Sequence, residues 1–263
     1  MTANLRITPD DWRDATLSAS AELAGFEASK TQNAIRSDVF RTADTTSVTI
    51  TATWDASRTL SSLMIFNHLL HGANVRLQIG AYDSTALPAL WYSTTADAHT
   101  WSTGTKDPYK EQSPFRLYFP EVSASSATIT FSGTPSAVSY FQAGTIVLGR
   151  YMEFARTLKF GAASGRQGTG KATRTEGGSR RGYGGASWKT IAGDLAGLLP
   201  SEMAFWEDFM NHADPATYFG FSLYPEDGTR KEAIHTLCGY LTNRDVLNHE
   251  VRMFTGRIQV ESA

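Results

Sequence analysis

Residues Val138–Phe154 read V-S-Y-F-Q-A-G-T-I-V-L-G-R-Y-M-E-F. Thr145, Ile146, Val147 and Leu148 form a short run rich in β-branched residues. Such a run fits a strand buried on both faces and is too short for an independent helix. Val138–Phe141 reads as a preceding strand, Gln142-Ala143-Gly144 as the turn between the two, and Gly149-Arg150 as the break after them. The chain before this stretch is Ser/Thr/Ala-rich and mildly acidic, and the chain after it is Gly-rich and basic. It therefore reads as the last strand of one β-domain and the hinge into another, with the boundary inside Gly149–Arg156.

Working outward toward the N-terminus, Ser47–Trp54 alternates strictly, with Val48, Ile50, Ala52 and Trp54 on one side and Ser/Thr on the other. This is the pattern of a half-buried strand. Asp55–Arg58 reads as a turn, Leu60–Leu70 is apolar, and Asn74–Gly80 alternates again. Phe115–Phe119 and Ala127–Phe131 complete the set. Many short strands separated by turns predict a sandwich or jelly roll. The expected organisation is mainly β: an arm over 1–25, a jelly-roll β-sandwich over 26–152, and a second β-sandwich over 153–263.

In the second half, the spacing of Met203, Trp206, Phe209 and Met210 predicts one amphipathic helix over about 200–213, opened by Pro200-Ser201-Glu202. Thr217–Tyr224, Ala233–Leu241 and Glu250–Val260 read as strands. Residues 161–185 carry nine glycines among basic side chains and read as a mobile loop or a long hairpin.

The 263 residues carry a net charge of −2, which implies no whole-chain attraction to nucleic acid or membranes. The charge is unevenly spread: residues 156–189 hold eight basic side chains and one acidic, whereas 190–263 hold five and eleven. The tract reads either as a solvated loop or as a grip on nucleic acid or an acidic protein surface, the last making Arg166, Lys171, Arg174, Arg180 and Arg181 subunit-interface candidates. The lone Cys238 excludes an internal disulfide and a cysteine zinc cluster. No apolar run approaches the roughly 20 residues of a membrane span, and the N-terminus lacks a signal-peptide core.

The chemical motifs are weak. Gly165–Lys171 matches most of a phosphate-binding loop, but Ala172 stands where Ser or Thr belongs, and the glycines that follow exclude the helix such a loop requires. G-x-S-x-G is absent. His68 and His71 lack a nearby third metal donor. No residue is nominated as catalytic, metal-ligating or cofactor-binding, and no cofactor is expected. Trp91, Tyr92, Trp101 and Tyr109 lie in a long turn-rich stretch. They read either as packing for it or as a glycan-contact surface.

Ser61–His68 followed by Ala73–Gly80 resembles the discoidin-type, carbohydrate-module-like jelly roll found in tail proteins of tailed phages, and Ala143–Phe154 resembles its closing strand and exit. The region from Arg174 through Pro200–His212 to Phe221–Pro225 is similar to the β-sandwich of tail-tip proteins of long-tailed phages. The resemblance implies a non-enzymatic structural component of a virion tail tip or baseplate, made in the host bacterial cytoplasm. It also implies a homo-oligomeric, hexameric ring that joins the tail tube to the baseplate hub. The alternative is a carbohydrate-binding module that attaches its particle to a cell-surface glycan.

Overall fold

A computed structural model of the chain describes residues 4–43, 46–70, 72–85, 87–88, 114–135, 138–155, 158, 162–174, 180–183, 185–212, 217–225, 230–242, 248–250 and 253–262. In chain order the strands are β1 (Arg6–Thr8), β2 (Thr16–Ala19), β3 (Phe40–Arg41), β4 (Ser47–Ile65), β5 (Ala73–Ile79), β6 (Tyr82–Asp83), β7 (Leu87–Pro88), β8 (Phe115–Gly133), β9 (Gln142–Ala143), β10 (Ile146–Gly149) and β11 (Met152–Glu153). Then follow β12 (Ala163–Gly168), β13 (Lys171–Arg174), β14 (Arg180–Tyr183), β15 (Ser187–Leu198), helix α1 (Pro200–His212), β16 (Phe219–Ser222), helix α2 (Arg230–Ile234), β17 (Thr236–Leu241), β18 (Asn248–Glu250) and β19 (Met253–Ser262). The protein is mainly β, with sandwich architecture and one long helix. No described helix is long and apolar enough to cross a membrane.

The chain forms two compact units. Met1–Ala155 and Tyr218–Cys238 make the first, Arg156–Thr217 and Gly239–Ala263 the second. In the first unit, β10, β4, β8, β5 and β6 lie side by side, with β2 also on β4 and β7 also on β5. β4 and β8 are each 19 residues long and pair antiparallel from Ser47↔Ser132 to Ile65↔Phe115. Asp55–Arg58, expected as a turn, lies inside β4. The register shifts between Thr53 and Arg58 and again between Leu60 and Ser62. Bulges of this kind absorb polar inserts and bend a strand without ending it.

The alternating positions face inward: Val48, Ile50, Val75, Leu77, Ile129 and Phe131 are all buried in one core with Trp12, Phe40 and Phe141. The run around Ile146–Leu148 is buried at every position, as its composition implies. Gln142-Ala143, however, is the strand β9, paired with β3, and not a turn. Gly149 does not break its strand but ends β10 opposite Ser62. A Cβ at Gly149 would lie 2.1 Å from the Pro9 carbonyl oxygen, so only glycine fits there.

Of the arm expected over 1–25, the described residues 4–25 are built into this unit. β1 pairs with β11 on one side and β16 on the other. Trp12 is fully buried, and its indole N–H donates to Thr31 Oγ1 at 2.9 Å. The returning segment 218–238 joins the unit through β16 on β1, and it also carries α2, where Ala233 had been expected in a strand, and the first half of β17. Arg116 and Glu232 form a buried ion pair at 2.9 Å.

In the second unit, β15 pairs with β12 and with β19, and β18 pairs with β19. α1 matches the periodicity read from the sequence. Trp206 and Phe209 are buried and Met203 and Met210 half-buried, while Glu202 Oε2 accepts the Leu199 N–H at 2.6 Å, as a capping carboxylate does. The described part of 161–185 takes the strand-paired form of the two readings, not the loop. It forms β12, paired residue for residue with β15, and the β13–β14 hairpin. Its glycines allow close backbone approach: a Cβ at Gly185 would meet Gly170 N at 2.5 Å.

Candidate functional site

The short β3–β9 pair places Arg41 directly opposite Gln142. Phe40 and Phe141, the residues before each, are fully buried in the core. The two-residue period of strands therefore turns Arg41 and Gln142 to the other side. The backbone of Arg41 is pinned twice: its N–H donates to the Phe26 carbonyl at 3.1 Å, and its carbonyl accepts the Leu23 N–H at 2.9 Å.

The Arg41 guanidinium lies over two half-buried rings, 4.5 Å from the centroid of Phe26 and 5.3 Å from that of Tyr140. Cation–π contact of this kind holds the planar fork in one orientation. Arg41 Nε donates to Gln142 Oε1 at 2.8 Å. That contact fixes the amide's orientation, so its other end is an NH₂ donor. Gln142 is 7% exposed. Leu23, exposed at 41%, lies on the neighbouring turn. Together these residues form a partly exposed platform of ring faces, a guanidinium edge and an amide.

A second polar group is wholly structural in character. Arg6 donates from Nη2 to Glu153 Oε2 at 2.7 Å and lies 4.4 and 4.3 Å from the ring centroids of Tyr118 and Tyr151. Burial pushes the Tyr118 hydroxyl well above the usual phenol range. A third group centres on Asp10, whose carboxylate accepts backbone N–H bonds from Trp12 at 3.1 Å and Leu148 at 3.3 Å. Burial pushes Asp10 up to about 7, and burial, then the charge of Asp10, push Cys238 well up.

Of the residues nominated from sequence, Trp91, Tyr92, Trp101 and Tyr109 lie outside the described residues. The ends of their segment are described. Pro88 pairs with Asn74, which in turn pairs with Ser132 near the end of β8, whereas Phe115 begins β8. The cationic candidates fall on three strands: Arg166 on β12, Lys171 and Arg174 on β13, Arg180 and Arg181 on β14. Their registers set cation against cation, Arg166 opposite Lys189 and Arg174 opposite Arg180. Burial, and then the charge of Arg166, push the Lys189 amine down to about 8. His68 is buried, and its Nδ1 accepts the Leu70 N–H at 3.2 Å, a packing role. No group of three or more His, Cys, Asp or Glu that would hold a metal ion occurs among the described residues.

Sequence reading missed Phe26, Arg41, Tyr140 and Gln142 as a site. The signal was the alternation Phe40-Arg41 against Phe141-Gln142, two residues long on each side and too short to stand out.

No protein-family model matches the chain, and no curated protein matches it. Among solved structures, the chain is similar to the CpGH89CBM32-5 module from Clostridium perfringens, determined in complex with GalNAc-β-1,3-galactose. The identity is 9% over 55% of this chain and 99% of that one, with a TM-score of 0.39. It is also similar to the family 32 carbohydrate-binding module of C. perfringens NanJ, in complex with galactose, at 12% identity over 56% and 99% with a TM-score of 0.38. A fucose-binding module of Streptococcus pneumoniae, SpX-3, matches at 8% identity over 54% and 98% with a TM-score of 0.39.

Proposed function

We propose that the first unit is a non-catalytic saccharide-binding module that attaches the particle or protein carrying it to a glycan surface. The observation that carries this reading is the platform of Phe26, Arg41, Tyr140 and Gln142, held by the β3–β9 pair. Sugars are bound by apolar contact of their C–H faces with aromatic rings, and by hydrogen bonds to planar side chains that orient the hydroxyls. Rings, guanidinium and amide supply both.

The test is a glycan array probed with the full chain, followed by titration of the best glycan calorimetrically. Tyr140→Ala is expected to weaken binding at least tenfold, about 1.4 kcal/mol, with an unchanged circular dichroism spectrum. Absence of binding to every glycan class overturns the reading.

The cationic strands of the second unit favour a second reading, the structural tail-tip component that the sequence resemblance implies. Like charges directly opposite on a ladder are destabilising, and Arg166↔Lys189 and Arg174↔Arg180 are two such pairs. An acidic protein surface, including the acidic stretch 190–263 of another copy, would relieve that repulsion.

A further inference from the structure

The hydrogen-bonding capacity of the Arg41–Gln142 pair, apart from the Tyr140 hydroxyl beside it, is weighted toward donors. An Arg guanidinium has five N–H donors and no acceptor. Arg41 uses Nε on Gln142 Oε1, and no carboxylate among the described residues is in ion-pair reach of it. The two carboxylates nearest in the chain are engaged elsewhere: Glu22 Oε2 accepts the Ala28 N–H at 3.0 Å and Glu27 Oε1 accepts the Gly25 N–H at 2.8 Å. The Nη edge of Arg41 therefore keeps its donors and its charge. Gln142 spends its only side-chain acceptor group on Arg41. Its NH₂ bonds to no described residue, although the side chain is more than nine-tenths buried.

Arg41 and Gln142 thus present donors only, beside a cation that the described residues leave uncompensated. A neutral sugar hydroxyl both donates and accepts and leaves half of its capacity unused here. A carboxylate or sulfate oxygen only accepts, and a planar carboxylate matches the guanidinium fork with two parallel bonds.

We propose, resting on the saccharide-binding reading above, that the Arg41–Gln142 pair selects an anionic saccharide, one carrying a uronic carboxylate or a sulfate ester, with Phe26 and Tyr140 holding the guanidinium in place.

The experiment titrates the full chain with four probes: an oligogalacturonate, the same oligomer fully methyl-esterified, a neutral galactan oligomer, and a sulfated galactan oligomer. The oligogalacturonate or the sulfated oligomer is expected to bind at least tenfold more tightly than the ester and the neutral oligomer, with a preference that shrinks as salt is raised. Whichever of the two binds more tightly identifies the anion. Gln142→Glu, similar in size, places a carboxylate opposite Arg41 and is expected to abolish the preference, so that acidic and neutral probes bind alike. Arg41→Gln is expected to do the same, and a circular dichroism spectrum unchanged in both variants excludes misfolding as the cause. Equal binding of acidic and neutral probes, or a preference that survives in both variants, overturns the anionic selection and leaves the saccharide-binding reading standing. Failure of all four probes, and of every glycan on the array, overturns both.

Discussion

Asp10 is a carboxyl group enclosed by protein, with two backbone N–H groups aimed at one of its oxygens. Burial dominates its behaviour and raises it from 3.8 to about 7. Below about pH 4 the group carries its proton both folded and unfolded, and folding is indifferent to it. As pH rises toward 7 the unfolded chain releases the proton while the folded chain still holds it. Stability is therefore lost across that window, by up to about 4 kcal/mol at the upper end. Asp10→Asn keeps an acceptor for the two N–H groups and cannot ionise. The variant is expected to gain stability relative to wild type as pH rises from about 4 to about 7, measured as the difference in urea unfolding free energy. A difference that stays flat across that range rules out Asp10 as the titrating group. None of this was legible in the sequence. Pro9–Asp14 reads as a single helical turn, and only the three-dimensional path puts Leu148 against Asp10.

At the scale of elements, legibility followed the length of the repeating pattern. Ser47–Trp54 and Asn74–Gly80 carry four and three inward apolar positions, and their strands were readable. β3, β9 and β11, of two residues each, carry no period at all. β12 and β14 were hidden for a different reason. Glycine and arginine have low strand propensity, and tertiary pairing with β15 and β13 overrides it. α1 is the element where sequence and structure agree most closely, since Trp206 and Phe209 lie three apart on one face. Trp206 is 2% exposed and packs against Phe209 with ring centroids 5.8 Å apart. Trp206→Ala should cost about 3–5 kcal/mol through the cavity it leaves, read from the midpoint of chemical unfolding. A loss below about 1 kcal/mol, the usual size of a surface change, would contradict the burial.

At the scale of the whole molecule, the two proposals engage different units and separate cleanly. The proposed saccharide binding belongs to the first unit, and the paired cations to the second. If the cationic strands meet an acidic face on another copy, reversing charge at Arg180 and Arg181 removes that attraction. Arg180→Glu with Arg181→Glu is then expected to lower the mass measured by light scattering at low salt, and to leave glycan affinity unchanged. Equal masses for variant and wild type at both low and high salt would mean that these strands are simply solvated. Exposed pairs contribute only about 0–1 kcal/mol each, so an effect of this size requires the repetition that a closed assembly provides.

The first unit is completed by Tyr218–Cys238, which the chain reaches only after Arg156–Thr217. During synthesis, β1 and β11 are therefore made well before β16, the strand that pairs with β1 on its other edge. At about 5–20 residues per second, the ribosome needs roughly 4–17 s to travel from Ala155 to Cys238. For that interval the nascent chain presents the β1 edge and the partner side of Arg116 without β16 and Glu232. A chaperone or a premature neighbour has its opening then, and a slow codon stretch between those positions would lengthen it.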